Sequence, residues 1–157
     1  MDNSRKDFAR KSIEKSKTFT DDPLIKFVIL WIGLNALYDD DSQYGRQEAK
    51  KVKRFFQQND EKIRAIIHKR EQELQKMQEV IQEYPHQHEK IKECLRTKGA
   101  IFKYKHSDSV THLGELLNQV RNNMFHAAKD WKEEAEQKLI STINPILEDI
   151  LSELIGS

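Results

Sequence analysis

A chain of 157 residues is one domain's worth, enough to bury a core without disulfide or metal staples. Charged residues make up 34% and hydrophobic ones 37%, with five Gly and three Pro, a mix that favours long solvated helices over strands, so one all-α domain is expected over residues 1–157. A formal net charge of +1 excludes histone-like coating of nucleic acid, so any anion must be held by a local patch; the single cysteine, Cys94, excludes an internal disulfide and suits a reducing cytosol.

No apolar leader follows Met1-Asp2-Asn3-Ser4-Arg5-Lys6, and the protein is expected to be cytoplasmic. The first helix is expected over about Ser4 to Lys17, with apolar positions at Phe8, Ala9 and Ile13. Its basic residues, Arg5, Lys6, Arg10, Lys11, Lys15 and Lys17, form a solvated face or a contact to RNA backbone. Asp22 reads as an N-cap, with Pro23 in the first turn, where its missing N–H costs nothing. The helix that follows, Leu24 to Tyr38, is apolar nearly all round and is expected to lie at the centre of the bundle. Its Phe27–Leu37 run, broken by Gly33 and Asn35, falls short of the ~20 residues of a membrane span, and no membrane partner is expected. Gly33 suits a close helix approach, and Asn35 is an amide in apolar company that either braces a helix end or lies near a site.

After the acidic turn Asp39-Asp40-Asp41-Ser42 comes a helix over Gln43 to Gln58, anchored by Val52, Phe55 and Phe56. Asn59 or Asp60 then caps one long helix on which Ile63, Ile66, Ile67, Arg70, Leu74, Met77, Val80 and Ile81 recur at helical spacing, ending at Tyr84-Pro85. Its narrow stripe suits packing on the central helix or a coiled-coil pairing. In His86-Gln87-His88 the imidazoles point to different faces and no ligand set completes a site, so no metal is expected, and no cofactor is called for. A short helix with Ile91, Cys94 and Leu95 stops at Gly99, and Ala100 to His106 forms an irregular linker. There Phe102 and Tyr104 alternate with Lys103 and Lys105, an arrangement that either holds single-stranded RNA or plugs the core.

Ser107 or Asp108 caps the next helix, on which Leu113, Leu116, Leu117, Val120 and Met124 share one stripe, while Glu115, Asn122 and His126 fall nearly opposite. It is expected to break around Ala127 to Lys129. Asn122 and His126, four apart, should share an exposed face, with Arg121 on the flank. An imidazole moves protons near neutral pH and a guanidinium fits phosphate oxygens, so a phosphodiester is the natural ligand. In RNA the 2′-hydroxyl can attack phosphorus with only a proton acceptor, a proton donor and charge stabilisation, and no metal. A second copy of the motif from a partner subunit would supply the second proton role. On its own the pair also reads as a surface charge and a histidine suited to a helix C-terminus. The last helix is expected over Trp131 to Ile155, with Asp130 and Glu133 as a capping box and a kink at Pro145, which makes five to seven helices in one bundle.

Two stretches together resemble the HEPN domains (higher eukaryotes and prokaryotes nucleotide-binding). Arg121-Asn122-Asn123-Met124-Phe125-His126 is similar to the family's Arg, four to six residues, then His, with a polar residue after the Arg. Trp31-Ile32-Gly33-Leu34-Asn35-Ala36-Leu37-Tyr38 is similar to the Trp-x-x-x-Asn-Ala-Leu-Tyr run of many members. The resemblance implies a helical homodimer with facing motifs and a metal-independent endoribonuclease site that leaves 2′,3′-cyclic phosphate and 5′-hydroxyl ends. In it His126 would transfer protons, Arg121 would stabilise charge on phosphate and Asn122 would orient the His or the phosphate. It further implies a toxin or antiviral effector restrained by an antitoxin or other regulatory protein. Many relatives carry Gly after the His; here Ala127-Ala128 continues to Lys129, a further phosphate contact, and Asn118, Lys103 and Lys105 complete the expected substrate-binding set. Two other functions fit the same residues: a non-catalytic RNA- or nucleotide-binding regulatory subunit, and a helical scaffold that self-associates through the Asp60 to Glu83 helix.

Overall fold

The computed structural model describes residues 3–39, 47–83, 91–93, 106–125 and 133–156. Among them there are no strands, and the elements are α1 (Asn3–Ser16), α2 (Pro23–Tyr38), α3 (Glu48–Gln58), α4 (Asp60–Lys69), α5 (Glu71–Glu83), α6 (Ser109–Met124) and α7 (Glu134–Ile155), with a helical piece at 91–93. The fold is all-α. None of these helices is long and apolar enough to cross a membrane.

α2 starts as its residues dictate: Asp22 accepts the Ile25 N–H at 3.1 Å, with Pro23 in the first turn. It lies antiparallel to α1. A Cβ at Gly33 would stand 2.9 Å from the Ser12 Cβ, and Arg5 Nη1 donates to the Ala36 carbonyl at 2.9 Å. Arg5 thereby satisfies a carbonyl in the last turn of α2, and Arg10 is paired with Asp7, so part of the basic run of α1 is used inside the molecule.

The centre of the bundle is α7, not α2. α7 packs against α1, α2, α4 and α5, and its Leu139, Ile140, Ile143, Ile146, Leu147, Ile150 and Leu151 are fully buried. α2 buries Phe27, Leu30, Trp31, Leu34, Leu37 and Tyr38 but leaves Ile25 and Ile32, seven apart on its outer face, 39% and 47% exposed. Residue type alone shows α2 as apolar all round; its neighbours cover only the inner side. α7 begins at Glu134, with Glu133 as N-cap and no side-chain cap bond, and Asp130 and Trp131 lie outside the described residues. It runs on through Pro145. The carbonyl that Pro145 leaves without an N–H belongs to Ser141, an exposed residue, so water can satisfy it.

The single helix expected from Asp60 to Glu83 bends at Arg70 into α4 and α5. Backbone bonds continue across the bend, from Arg70 N to Ile66 O at 2.8 Å and from Leu74 N to Arg70 O at 2.9 Å, but Arg70 sits at φ −110°, ψ 27°. Its guanidinium donates to Asp149 on α7 and, at 3.0 Å, to Glu73. Both halves turn their apolar stripes onto α7, so the face a coiled-coil partner would need is already used.

Candidate functional site

α6 runs along α3 in the opposite direction. Gln57 bonds Thr111 at 3.3 Å, Lys53 pairs with Glu115 at 3.6 Å, and a Cβ at Gly114 would meet the Phe56 ring at 3.1 Å. Each step back along α3 is a step forward along α6, and the same register brings Glu48, in the first turn of α3, opposite Val120 and Arg121. The stripe of Leu113, Leu116, Leu117, Val120 and Met124 is buried as its spacing requires. The opposite side is not wholly outward, because α3 covers its first turns: Asn118 is only 4% exposed, with an Oδ1 that has no hydrogen-bond partner among the described residues. Asn122, one turn on, is exposed.

At this end of α6 the Arg121 Nη1 donates to Asn122 Oδ1 at 3.0 Å, and the guanidinium carbon lies 5.1 Å from the Phe125 ring centroid. Its Nε is buried without a partner among the described residues. Phe125, the C-cap, is 47% exposed, and its N–H returns to Arg121 O at 3.1 Å. The helix ends at Met124, earlier than its expected break, so the stacking expected between Asn122 and His126 lies outside the described residues, as do His126, Lys129, Lys103, Lys105, Phe102, Tyr104, His86, His88 and Cys94.

An aromatic ladder leads from the core to the same place. Phe27 stacks on Trp31 with centroids 6.0 Å apart, Trp31 meets Tyr38 edge-on at 6.5 Å, and Tyr38 meets Phe55 of α3 at 6.1 Å. The Tyr38 hydroxyl donates to Glu48 Oε1. Burial pushes this hydroxyl well above the ordinary tyrosine value, the Glu48 hydrogen bond and charge push it further, and the positive charge of Arg121 pulls it partly back. Tyr38 is thus a neutral donor within the field of Arg121. Tyr38, which closes the Trp31–Tyr38 run, and Arg121, which opens the other motif, thus come within electrostatic reach of each other here. Asn35 of that run is half-buried.

Two side chains that sequence reasoning passed over belong to the cluster. Lys51, on α3, is only 8% exposed and pairs with Asp39 at 3.1 Å; Glu48 holds the Tyr38 hydroxyl. Lys51 had a signal: it lies four before Phe55 and beside Val52, on the buried stripe of an amphipathic helix. Among the described residues no three His, Cys, Asp or Glu side chains are grouped so as to hold a metal ion. Chemically, the cluster offers an anion a guanidinium whose neighbours are an amide and an aromatic ring, with a carboxylate and a lysine behind it.

The chain matches no family model, no curated protein and no solved structure.

Proposed function

We propose that this protein is a HEPN-like endoribonuclease, acting without a metal, whose site is built at the junction of α2, α3 and α6 and completed by a second copy of the chain. The observation that supports the reading most is the meeting of the two stretches that resemble the family: Tyr38 closes one, Arg121 opens the other, and the charge of Arg121 acts on the Tyr38 hydroxyl.

In this reading Arg121 binds the non-bridging phosphate oxygens, and Asn122, already bonded to it, holds the fork in place. The 2′-hydroxyl gives its proton to an acceptor at the site as its oxygen bonds to phosphorus, the bond to O5′ breaks, and His126 gives O5′ a proton, leaving 2′,3′-cyclic phosphate and 5′-hydroxyl ends. Lys129 is a further phosphate contact, with Lys103 and Lys105 along the strand. Asn118 stands behind Arg121 as a buried amide and supports the site from there. In the cell such an enzyme acts as a toxin or defence effector and needs a restraining partner protein.

The test is expression of wild type, Arg121→Ala and His126→Ala in bacteria, reading growth and total RNA integrity. Wild type alone should arrest growth and fragment RNA, with each variant at least about a hundredfold less active, the usual cost of a lost proton-transfer or charge-stabilising group. Equal behaviour of all three would remove the catalytic reading and leave an RNA- or nucleotide-binding one.

A further inference from the structure

The site's chemistry needs a proton acceptor beside the cation, and the groups around Arg121 narrow the choice. Tyr38 is a neutral donor, as its burial dictates. Asp39 is tied to Lys51 at 3.1 Å, and Glu115 lies back along α6, paired with Lys53. Glu48 is different. The α3–α6 register sets it opposite Arg121, it is half-buried rather than sealed in the core, and the Tyr38 hydroxyl holds one of its oxygens, Oε1. Tyr38 itself is locked by Trp31 and Phe55, so the carboxylate inherits a fixed position from the core. Among the described residues Arg121 makes no ion pair with Glu48: its fork goes to Asn122 and its face to Phe125. Cation and carboxylate therefore do not neutralise each other in a direct ion pair.

We propose that Glu48 is the proton acceptor of the site, taking the 2′-hydroxyl proton of the RNA within the same chain that supplies Arg121. This rests on the RNA-cleaving reading above and deepens it. The 2′-O–H bond breaks and its proton passes to Glu48 Oε2, the oxygen Tyr38 leaves open. The 2′-oxygen bonds to phosphorus, the P–O5′ bond breaks, and O5′ takes its proton from the acid role assigned to His126; no electrons change hands between molecules. The charged and titratable groups around Glu48 are the Tyr38 hydroxyl that bonds it, the Lys51–Asp39 pair one turn on along α3, and Arg121 on α6, whose charge reaches that hydroxyl. A second copy of the motif is then not needed as acceptor.

The experiment uses the purified full chain and a short oligoribonucleotide, with wild-type cleavage read first. Glu48→Gln should lower kcat about a hundredfold or more while KM stays within about threefold, since a general base acts on the step and not on binding. Tyr38→Phe removes the hydrogen bond that fixes the carboxylate, so kcat should fall at least about tenfold while KM stays within about threefold. A Glu48→Gln enzyme within about threefold of wild-type kcat overturns the assignment, and so does an unchanged kcat in Tyr38→Phe, which decides the matter should Glu48→Gln not fold. A wild type that leaves RNA intact overturns the ribonuclease reading itself, and with it the acceptor; active wild type with indifferent Glu48 variants overturns the acceptor alone.

Discussion

A methyl group at position 33 has no room, because its Cβ would sit 2.9 Å from the Ser12 Cβ and 3.2 Å from the Ser12 Oγ, both on the facing helix. Overpacking of this kind costs about 1–3 kcal/mol, set against up to about 1 kcal/mol of helix propensity that Ala gains over Gly. Gly33→Ala should therefore lower the melting temperature by roughly 2–4 °C for each kcal/mol of net loss. A double-mutant cycle with Ser12→Gly should return a coupling of about 1 kcal/mol; simple additivity would contradict the contact. Tyr38 carries a second residue-scale prediction. Its folded hydroxyl value is raised by burial first and Glu48 next, so the stability tied to the neutral form is complete below the unfolded value of about 10 and is lost as pH rises through the folded one. Wild type should lose stability more steeply than Tyr38→Phe from about pH 10 upward, as chemical denaturation at a series of pH values would show; parallel slopes would refute it. Close approach at Gly33 was legible because a lone glycine in an apolar helix has few other uses. Glu48 was not, since by type alone it is an ordinary surface charge, and Lys51 was marked only by its place on the buried stripe beside Val52.

At the scale of elements, the bend at Arg70 joins a sequence signal to a packing demand. Ile63, Ile66, Ile67 and Leu74 continue one stripe, and Arg70 interrupts it at a position where a straight helix would bury a charge. Turning the chain there lets α4 and α5 each lie on α7 while the guanidinium meets Asp149 and Glu73. Asp149 also lies 3.5 Å from Lys69. Asp149→Ala should cost about 1.5–3 kcal/mol, the range for hydrogen bonds to charged groups, seen as a lower denaturation midpoint. An unchanged midpoint would mean that apolar packing alone sets the bend. The helices themselves were legible from periodicity and caps, with Asp22 the clearest case. The bend was missed because the ladder bonds of Arg70 persist across it, so neither Gly nor Pro marks the place.

For the whole molecule, α7 gathers α1, α2, α4 and α5, while α3 and α6 form a pair set against α4 and the end of α2. The candidate site lies where that pair meets α2, supported by the aromatic ladder behind it. Sequence pattern placed the motif on an amphipathic helix and on the side away from the buried stripe, but could not show that α3 covers its first turns. That cover follows from Gly114, whose missing side chain lets Phe56 come close, a feature that counts of apolar residues ignore. In the proposed function Arg121 serves cleavage of RNA without a metal. The most direct measurement is to incubate purified wild type, Arg121→Ala and His126→Ala with RNA in excess chelator and to identify the fragment ends. Wild type alone should leave 2′,3′-cyclic phosphate and 5′-hydroxyl ends, while RNA left intact at high wild-type concentration, or ends of another chemistry, would overturn the proposed function.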